Sequence, residues 1–165
     1  MNIKMIDFKN VFFGYEKNSA IVNDVSFHIN KGDFTAIIGA NGAGKSTLSK
    51  LFNGLHIPQS GIVTINGMNT KTTKTSILAK HIGFLFQNPD RQICCNTVRD
   101  EILFGLQCVC SDKNTAEKRA DDIIEKFEFD GIRNPFSLSR GERQKLALIS
   151  LIAVEPEIMI LDEPT

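Results

Sequence analysis

The segment Gly39-Ala40-Asn41-Gly42-Ala43-Gly44-Lys45-Ser46-Thr47 decides the fold of this 165-residue chain. Its pattern is glycine, four residues, glycine, lysine, then serine or threonine, which is typical of a loop that binds phosphate groups. Glycine lets the backbone curl so that successive N–H groups face phosphate oxygens. In such a loop Lys45 reaches the β- and γ-phosphates of a nucleotide, and the Ser46 hydroxyl ligates Mg²⁺. The segment therefore predicts a site for a nucleoside triphosphate and its metal.

The residues on both sides of this loop predict the strand and the helix that the pattern requires. From Asp33 to Ile38 the chain is nearly continuous in apolar residues after Thr35, which predicts a strand buried on both faces. A helix is expected to begin near Gly44 and to end at Asn53-Gly54, where glycine suits a left-handed C-terminal position. The alternative is a glycine-rich turn that contains a lysine by chance. It is disfavoured because pattern and context agree.

A second candidate element lies at the other end of the chain, where an apolar run precedes two acids. Ile158 to Leu161 predicts a short buried strand, and Asp162 and Glu163 follow it. A carboxylate there stands at the carboxyl edge of a parallel sheet, where such sheets bind ligands. Asp162 is expected to hold Mg²⁺, directly or through water, and Glu163 to orient or deprotonate an attacking water. An acidic residue after a strand is usually just a solvated strand end. The functional interpretation is favoured here because the same chain also contains the phosphate loop at Lys45.

The other strands are predicted from alternation and turn residues. Apolar and polar residues alternate from Asp24 to Ile29, which predicts a half-buried antiparallel strand with Ile6 to Phe13 as its partner. The run Ile62 to Ile65 before Asn66-Gly67 predicts a strand and a tight turn. Gly83 to Phe86 is another candidate for a buried strand.

Between Asn88 and Pro135 the pattern changes to helices. Val98, Ile102 and Leu106 share one helix face, and Ile123, Ile124 and Phe127 form the apolar side of a charged helix from about Thr115. A last helix is expected from Gly141 to Ala153, before Pro156. Ser139 with Glu142 three residues later predicts a capping box at its start.

Composition excludes several classes of protein. Lysine plus arginine and aspartate plus glutamate each number 19, so the formal net charge is zero and no nucleic-acid partner is expected. The longest mostly apolar stretch, Leu146 to Val154, is far shorter than the roughly 20 residues of a membrane-spanning helix. The N-terminal residues, Met1 to Asp7, lack the apolar core and cleavage site of a signal peptide, which predicts a cytosolic chain.

The cysteine and histidine positions favour ordinary structural roles. The cysteines stand at 94, 95, 108 and 110, a spacing that does not match paired zinc knuckles, and no histidine is near them in the sequence. Reduced structural thiols are therefore expected rather than a metal or redox site. His28, His56 and His81 are expected to be ordinary surface or core residues.

Three further motifs identify a family. Leu138-Ser139-Arg140-Gly141-Glu142, just before the acidic strand, resembles the signature motif of ABC ATPases. Gln87 ends a strand between the two phosphate elements, as the Q-loop glutamine does in that family. Tyr15 occupies the place of the aromatic residue that stacks on adenine. With the phosphate loop and the acidic strand, five motifs follow one another in the family's order along the whole chain.

This resemblance implies an α/β fold, a P-loop NTPase of ABC type with an N-terminal antiparallel β subdomain and an inserted helical subdomain. The implied parts are residues 1–87 for the β subdomain and P-loop core, 88–137 for the helical subdomain, and 138–165 for the signature helix and acidic strand. The resemblance also implies ATP and Mg²⁺ as ligands. The implied nucleotide contacts are Tyr15, residues 39–47, Ser139 and Gly141. The implied metal ligands are Ser46, Gln87 and Asp162, and the implied catalytic residues are Glu163, Gln87 and Lys45.

The resemblance further implies partners. ABC ATPases close as head-to-tail pairs of identical or paralogous chains. The resemblance implies that Ser139 and Gly141 face the ATP bound by the second chain. The helix start after Ser139 would direct its N–H groups towards the γ-phosphate of that ATP. The pair docks on transmembrane subunits at the cytoplasmic face of the membrane. The windows Phe86 to Gln92 and Thr97 to Leu106 look like the ATPases of energy-coupling factor importers, which take up vitamins and transition-metal ions. Any other ABC importer ATPase stays an alternative to this subfamily.

Two departures from the family pattern leave other functions open. The usual signature has glycine at Arg140 and commonly glutamine at Glu142, and Glu142 is expected to fold back on its own backbone. The sequence stops at Thr165, before the D-loop and switch histidine, which implies a domain incomplete at its C-terminus with exposed apolar sheet surface. The alternatives are a nucleotide-binding remnant without turnover and a soluble non-transport ABC ATPase.

Overall fold

The computed structural model describes residues 3–16 and 19–163, and the chain forms two compact units, Met1–Ala79 and Lys80–Thr165. This division differs from the subdomain boundaries at 87 and 137 that the resemblance implies, which stay a prediction. Met1 and Asn2, considered above for a signal peptide, and the terminal Thr165 lie outside the described residues.

The first unit contains an antiparallel sheet. Its strands are β1 (Lys4–Phe13), β2 (Val22–Asn30), β3 (Ser60–Ile65) and β4 (Met68–Asn69), in the order β2-β1-β3-β4. The predicted pairing of the first two strands is confirmed, with Phe8 opposite Phe27. The predicted tight turn after Ile65 is also confirmed, because Asn66 and Gly67 both have positive φ, at 50° and 76°.

Two helices complete the first unit. Helix α1 (Lys45–Phe52) ends at Asn53, and Gly54 follows with φ 70°, so both predicted ends are confirmed. The ring of Phe8 stacks on Phe27 at 4.8 Å between ring centroids and meets the edge of Phe52 at 5.1 Å, so aromatic rings join sheet and helix. A short helix, α2 (Thr75–Leu78), buries Leu78.

The prediction of a buried strand from Asp33 to Ile38 is wrong. These residues have no regular secondary structure, and Phe34 and Ile38 are 99% and 93% exposed. A strand forms only where a neighbouring strand accepts and donates its backbone hydrogen bonds. Within the described residues no strand pairs with this segment, so its apolar side chains find no surface to pack on.

The second unit combines two parallel strands with helices. Strand β5 (Ile82–Leu85) pairs with β6 (Ile158–Leu161), and the helices are α3 (Val98–Gln107), α4 (Lys113–Lys126) and α5 (Arg140–Ala153). Short 3₁₀ turns occupy Pro89–Arg91 and Pro135–Ser137. The predicted strand Gly83 to Phe86 is found with its end at Leu85. None of the helices in residues 3–16 and 19–163 combines the length and hydropathy that crossing a bilayer requires.

The core of the second unit lies between its helices. The predicted face Val98, Ile102 and Leu106 is fully buried. Helix α4 adds the buried residues Ala116 and Ala120, and the predicted Ile123, Ile124 and Phe127 are only half-buried. The small alanines allow α4 to lie close to its neighbours.

Residues 158–161 form a strand, as predicted, but the prediction that this strand is buried is wrong. Only Ile160 is buried, whereas Met159 and Leu161 are 43% and 44% exposed. In the part of the chain that the structure describes, β6 has one neighbour, β5, so its outer edge and part of its surface stay open.

Candidate functional site

The predicted phosphate loop has the backbone conformation that its glycines permit. Gly42 and Gly44 have φ of 81° and 90°, in the left-handed region that other residues avoid. Gly44 is the N-cap of α1, and no side chain makes a capping hydrogen bond there. The first N–H groups of a helix have no intrahelical acceptor, so this helix start can bind an anion.

The side chain of Lys45 folds back onto the first residues of this loop. Its Nζ donates hydrogen bonds to the carbonyl oxygens of Gly39 at 2.9 Å and Ala40 at 3.0 Å. The N–H of Ala43 also donates to the Ala40 carbonyl, at 3.1 Å, and Asn41 is exposed at the tip. The ammonium group is therefore held against the loop backbone by two neutral carbonyl acceptors. A phosphate oxygen can replace them as a stronger, charged acceptor.

The two hydroxyl residues that end the motif differ in environment. Ser46 is half-buried, and its carbonyl accepts a hydrogen bond from the Ser49 hydroxyl at 3.0 Å. Thr47 is buried, and its Oγ1 lies 3.3 Å from the hydroxyl of Tyr15. The structure thus brings the predicted adenine-stacking residue next to the predicted phosphate loop.

The surroundings of Tyr15 include a histidine that sequence reasoning missed. The Tyr15 hydroxyl lies 3.2 Å from Nε2 of His56, and the His56 ring stacks on Phe13 at 4.8 Å between centroids. Burial lowers the pKa of His56, and the nearby Lys50 lowers it further. Tyr15 itself is 60% exposed, so its ring is accessible while its hydroxyl is held. The signal in the sequence was only that aromatic residues flank Gly14.

In the second unit, the parallel pairing of β5 and β6 brings two predicted site residues together. Leu85 lies opposite Leu161, and the N–H of Asp162 donates to the Leu85 carbonyl at 3.0 Å. Just beyond these strand ends, Nε2 of Gln87 donates to Oε2 of Glu163 at 2.5 Å. Glu163 has φ 49°, a left-handed conformation that is uncommon for glutamate and frequent at functional sites.

The predicted signature residues occupy the start of α5. Ser139 is the N-cap: its Oγ accepts the N–H of Glu142 at 3.3 Å, and its own N–H donates to Oε2 of Glu142 at 2.7 Å. The predicted capping box is thus confirmed, and so is the prediction that the Glu142 side chain folds back on its own backbone. The backbone and side-chain hydrogen bonds from Ser139 lower the pKa of Glu142. Arg140 and Gly141 are exposed.

Gly141 has no packing role within its own unit. A Cβ atom built there meets nothing within 4 Å, and its φ does not require glycine. Space for a side chain at a helix start is consistent with the close approach of another molecule to the backbone.

Sequence reasoning missed the residues that attach the Gln87 segment to α5. Gln92 accepts the N–H of Phe86 at 3.4 Å and donates to the carbonyl of Ala147 at 3.1 Å. Nε of Arg143 lies 2.8 Å from a carboxylate oxygen of Asp90. The two contacts with α5 join residues far apart in sequence, and no local pattern signals them.

Comparison with known proteins shows the family. The family model described as "ABC transporter" matches residues 22–165. The energy-coupling factor transporter ATP-binding protein EcfA1 of Mycoplasma mobile is 42% identical over 168 residues, which cover 100% of this chain and 61% of that protein. A protein of Pyrococcus furiosus named as an ABC transporter ATP-binding protein is 39% identical over 98% of this chain and 62% of its own length.

Solved structures agree with these relatives. CbiO1 of Clostridium perfringens, part of the ABC transporter complex cbiONQ, superposes with a TM-score of 0.81 and 26% identity over 98% of this chain and 66% of its own. A dimeric ATP-binding cassette in a post-hydrolysis state, bound to ADP and Pi, superposes with a TM-score of 0.83 and 28% sequence identity. The match covers 98% of this chain and 75% of that chain. The chain spans about three fifths of the length of each of the two curated relatives named above. It belongs to the ABC transporter family and has the α/β fold of its ATPase domain.

Proposed function

We propose that the chain binds and hydrolyses ATP as the motor subunit of a membrane importer of the energy-coupling factor type. The observation that carries this proposal is the loop before α1, where two left-handed glycines lead into an uncapped helix start and Lys45 lies over the loop. The importer type is supported by the relative EcfA1 and by the windows 86–92 and 97–106. The cargo would be a vitamin or a transition-metal ion.

In this proposal the nucleotide is held by the first unit. Residues 39–47 direct backbone N–H groups to the phosphates, and Lys45 exchanges its carbonyl acceptors for phosphate oxygens. The exposed Tyr15 ring stacks on adenine while Thr47 and His56 hold its hydroxyl. The hydroxyl contact keeps the ring beside the loop that binds the phosphates.

The proposed metal ligands suit Mg²⁺. Ser46, Gln87 and Asp162 offer hydroxyl, amide and carboxylate oxygens, the donors that this cation prefers. The Gln87 amide nitrogen donates to Glu163, which leaves its amide oxygen as the end that can ligate a cation. When bound, Mg²⁺ neutralises charge on the phosphate oxygens.

Glu163 is the proposed general base. Its Oε2 accepts a hydrogen bond from Gln87, and this bond holds the carboxylate in one orientation. The other carboxylate oxygen can then take a proton from the water that attacks the γ-phosphorus. Gln87 positions the base in this step.

The start of α5 is the proposed contact with a second ATPase chain, identical or paralogous. Ser139 and Gly141 are exposed, and the Glu142 carboxylate is turned back onto Ser139, so it does not project from the helix start towards an anion. The helix end can thus approach the partner's ATP with its N–H groups. The pair would dock on transmembrane subunits at the cytoplasmic face of the membrane.

The experiment measures ATP binding and turnover in Glu163→Gln. Because glutamine cannot accept the proton, turnover is expected to fall by about 10²-fold or more, while calorimetry shows unchanged ATP affinity. Glu125→Gln, an exposed glutamate on α4, is the matched control and should keep full turnover.

Three outcomes decide between the functions. Normal turnover by Glu163→Gln would overturn the role of this residue. ATP binding without any turnover by the wild-type chain would favour the nucleotide-binding remnant over the motor subunit. No calorimetric heat with any nucleotide and Mg²⁺, or equal heat with Lys45→Ala, would overturn the proposal as a whole.

A further inference from the structure

We propose that Cys94, Cys95 and Glu101 form a binding site for a thiophilic divalent cation of the Zn²⁺ class. One ligand atom from each residue lies within 4.8 Å of the other two. The site lies in the second unit, between the segment after β5 and the first turn of α3. It shares no residue with the proposed nucleotide site.

The separation of the two sulfur atoms suits one shared cation. The Sγ atoms of Cys94 and Cys95 lie 4.0 Å apart. Zinc–sulfur bonds of about 2.3 Å in a tetrahedral arrangement place two sulfurs roughly 3.8 Å apart. The two thiols therefore need to move by only a few tenths of an ångström to bind one ion.

Glu101 supplies the third ligand and explains why the sulfurs are held together. It is 5% exposed, and its Oε2 accepts the N–H groups of Cys94 at 2.9 Å and Cys95 at 2.8 Å. These bonds fix the backbone of both cysteines on one carboxylate. Both end on Oε2, which leaves Oε1 as the oxygen that can turn to a cation.

The helix that carries Glu101 is itself well anchored. Thr97 caps α3 by accepting the N–H of Asp100 at 3.0 Å, and Ile93, next to Cys94, is buried. A site that is held by packing and backbone hydrogen bonds loses little chain freedom when the ion binds.

Two thiols and one carboxylate form a donor set that suits a thiophilic divalent cation. A bound divalent cation displaces the thiol proton to solvent, since a coordinating thiol is deprotonated. Two thiolates, one carboxylate and a water would complete a tetrahedral zinc sphere.

The test titrates the reduced 165-residue chain, free of nucleotide, with Zn²⁺ against a chromophoric chelator. One tightly held ion per chain is expected, and Cd²⁺ should give the ultraviolet charge-transfer band of cadmium–thiolate bonds. The double variant Cys94→Ser with Cys95→Ser should lose both signals. The matched double variant Cys108→Ser with Cys110→Ser removes the other two thiols and should keep both.

The third ligand is tested with Glu101→Gln. The amide oxygen of glutamine can still accept the two backbone N–H groups, so the loop should keep its conformation. The Zn²⁺ affinity is expected to fall at least about tenfold. Circular dichroism of each variant shows whether it is folded, and a variant that unfolds is replaced by the single substitution Cys95→Ser, which leaves Glu101 and its hydrogen bonds in place.

Three results would overturn the site: a wild-type chain that takes up no stoichiometric Zn²⁺, a Cys94–Cys95 variant that holds the ion as tightly as the wild type, and a signal lost in the Cys108–Cys110 variant instead. Unchanged affinity in Glu101→Gln would remove Glu101 from the ligand set.

Discussion

Gly42 and Gly44 have the same backbone conformation but different surroundings. Both have φ in the left-handed region, but a Cβ on Gly44 would lie 2.7 Å from Cγ2 of Ile21, whereas one on Gly42 would meet nothing within 4 Å. The need for glycine at Gly42 is thus conformational, and at Gly44 it is conformational and steric.

Substitution by alanine separates these two causes. Gly42→Ala is expected to lower the free energy of unfolding by about 1–2 kcal/mol, the cost of the left-handed conformation. Gly44→Ala should cost about 1 kcal/mol more, because Ile21 must also move. Urea unfolding of the two variants measures the difference, and equal losses would contradict the steric role of Ile21.

His56 makes stability depend on pH. Because burial and Lys50 lower its pKa in the folded chain, the unfolded chain binds more protons at mildly acidic pH. His56 therefore makes its full contribution to the free energy of unfolding at pH values above about 6.5, its pKa in the unfolded chain. That contribution is lost as the pH falls through the lower pKa that His56 has in the folded chain. Urea unfolding at a series of pH values measures this loss.

His56→Gln should flatten that part of the pH profile. His28→Gln is the control, because His28 is exposed on β2 and the variant should keep the wild-type profile. A profile that is unchanged in His56→Gln, or flattened by His28→Gln, would assign the pH dependence to another group.

Among the elements, α5 depends on its first turn. The reciprocal bonds of Ser139 and Glu142 satisfy two N–H groups that the helix leaves without partners. Ser139→Ala should lower the free energy of unfolding by about 1 kcal/mol and speed hydrogen exchange of the Glu142 amide. In Glu142→Gln the amide oxygen can still accept the Ser139 N–H, so a smaller loss is expected. A larger loss in Glu142→Gln than in Ser139→Ala would contradict this account.

Strand β5 and helix α5 pack closely at Gly83. A Cβ there would lie 2.4 Å from Cδ2 of Leu151 and 2.7 Å from Cγ of Pro156. Gly83→Ala should therefore cost about 1–3 kcal/mol through overpacking. Gly141→Ala, which meets open space, is the matched control and should not destabilise the chain in thermal unfolding. Equal melting temperatures of the two variants would show that Leu151 and Pro156 can move to make room for the new methyl group without a loss of stability.

At the scale of the whole molecule, the segment 33–38 leaves apolar surface in water. The side chains of Phe34 and Ile38 are almost fully exposed, so they bury little apolar area on folding. Replacing both with serine should therefore change the free energy of unfolding by less than about 0.5 kcal/mol. The same change should reduce self-association in light scattering, because exposed apolar patches promote it. Phe8→Ala, in the core of the first unit, should cost about 3–5 kcal/mol as a contrast. Unchanged scattering would place the association elsewhere.

Local patterns predicted those parts of the fold whose causes lie within a few residues. The capping box at Ser139, the turn at Gly67 and the bounds of α1 are of this kind. The segment 33–38 could not be predicted in the same way, because an apolar run does not show whether a neighbouring strand is present to pair with it. The bond from Gln87 to Glu163 joins residues 76 apart, and only the pairing of two strands brings them together. The roles of Tyr15, Lys45 and the metal ligands stay predictions.

The parallel pairing of β5 with β6 has a consequence for synthesis on the ribosome. Residues of the first unit have all left the ribosome before β5, so its antiparallel sheet can form while translation continues. Strand β5 must instead wait for its parallel neighbour until residues 158–161 of β6 are made. Such non-local pairings form slowly. During that interval a chaperone that binds extended apolar segments would meet Ile82 to Leu85 as its target.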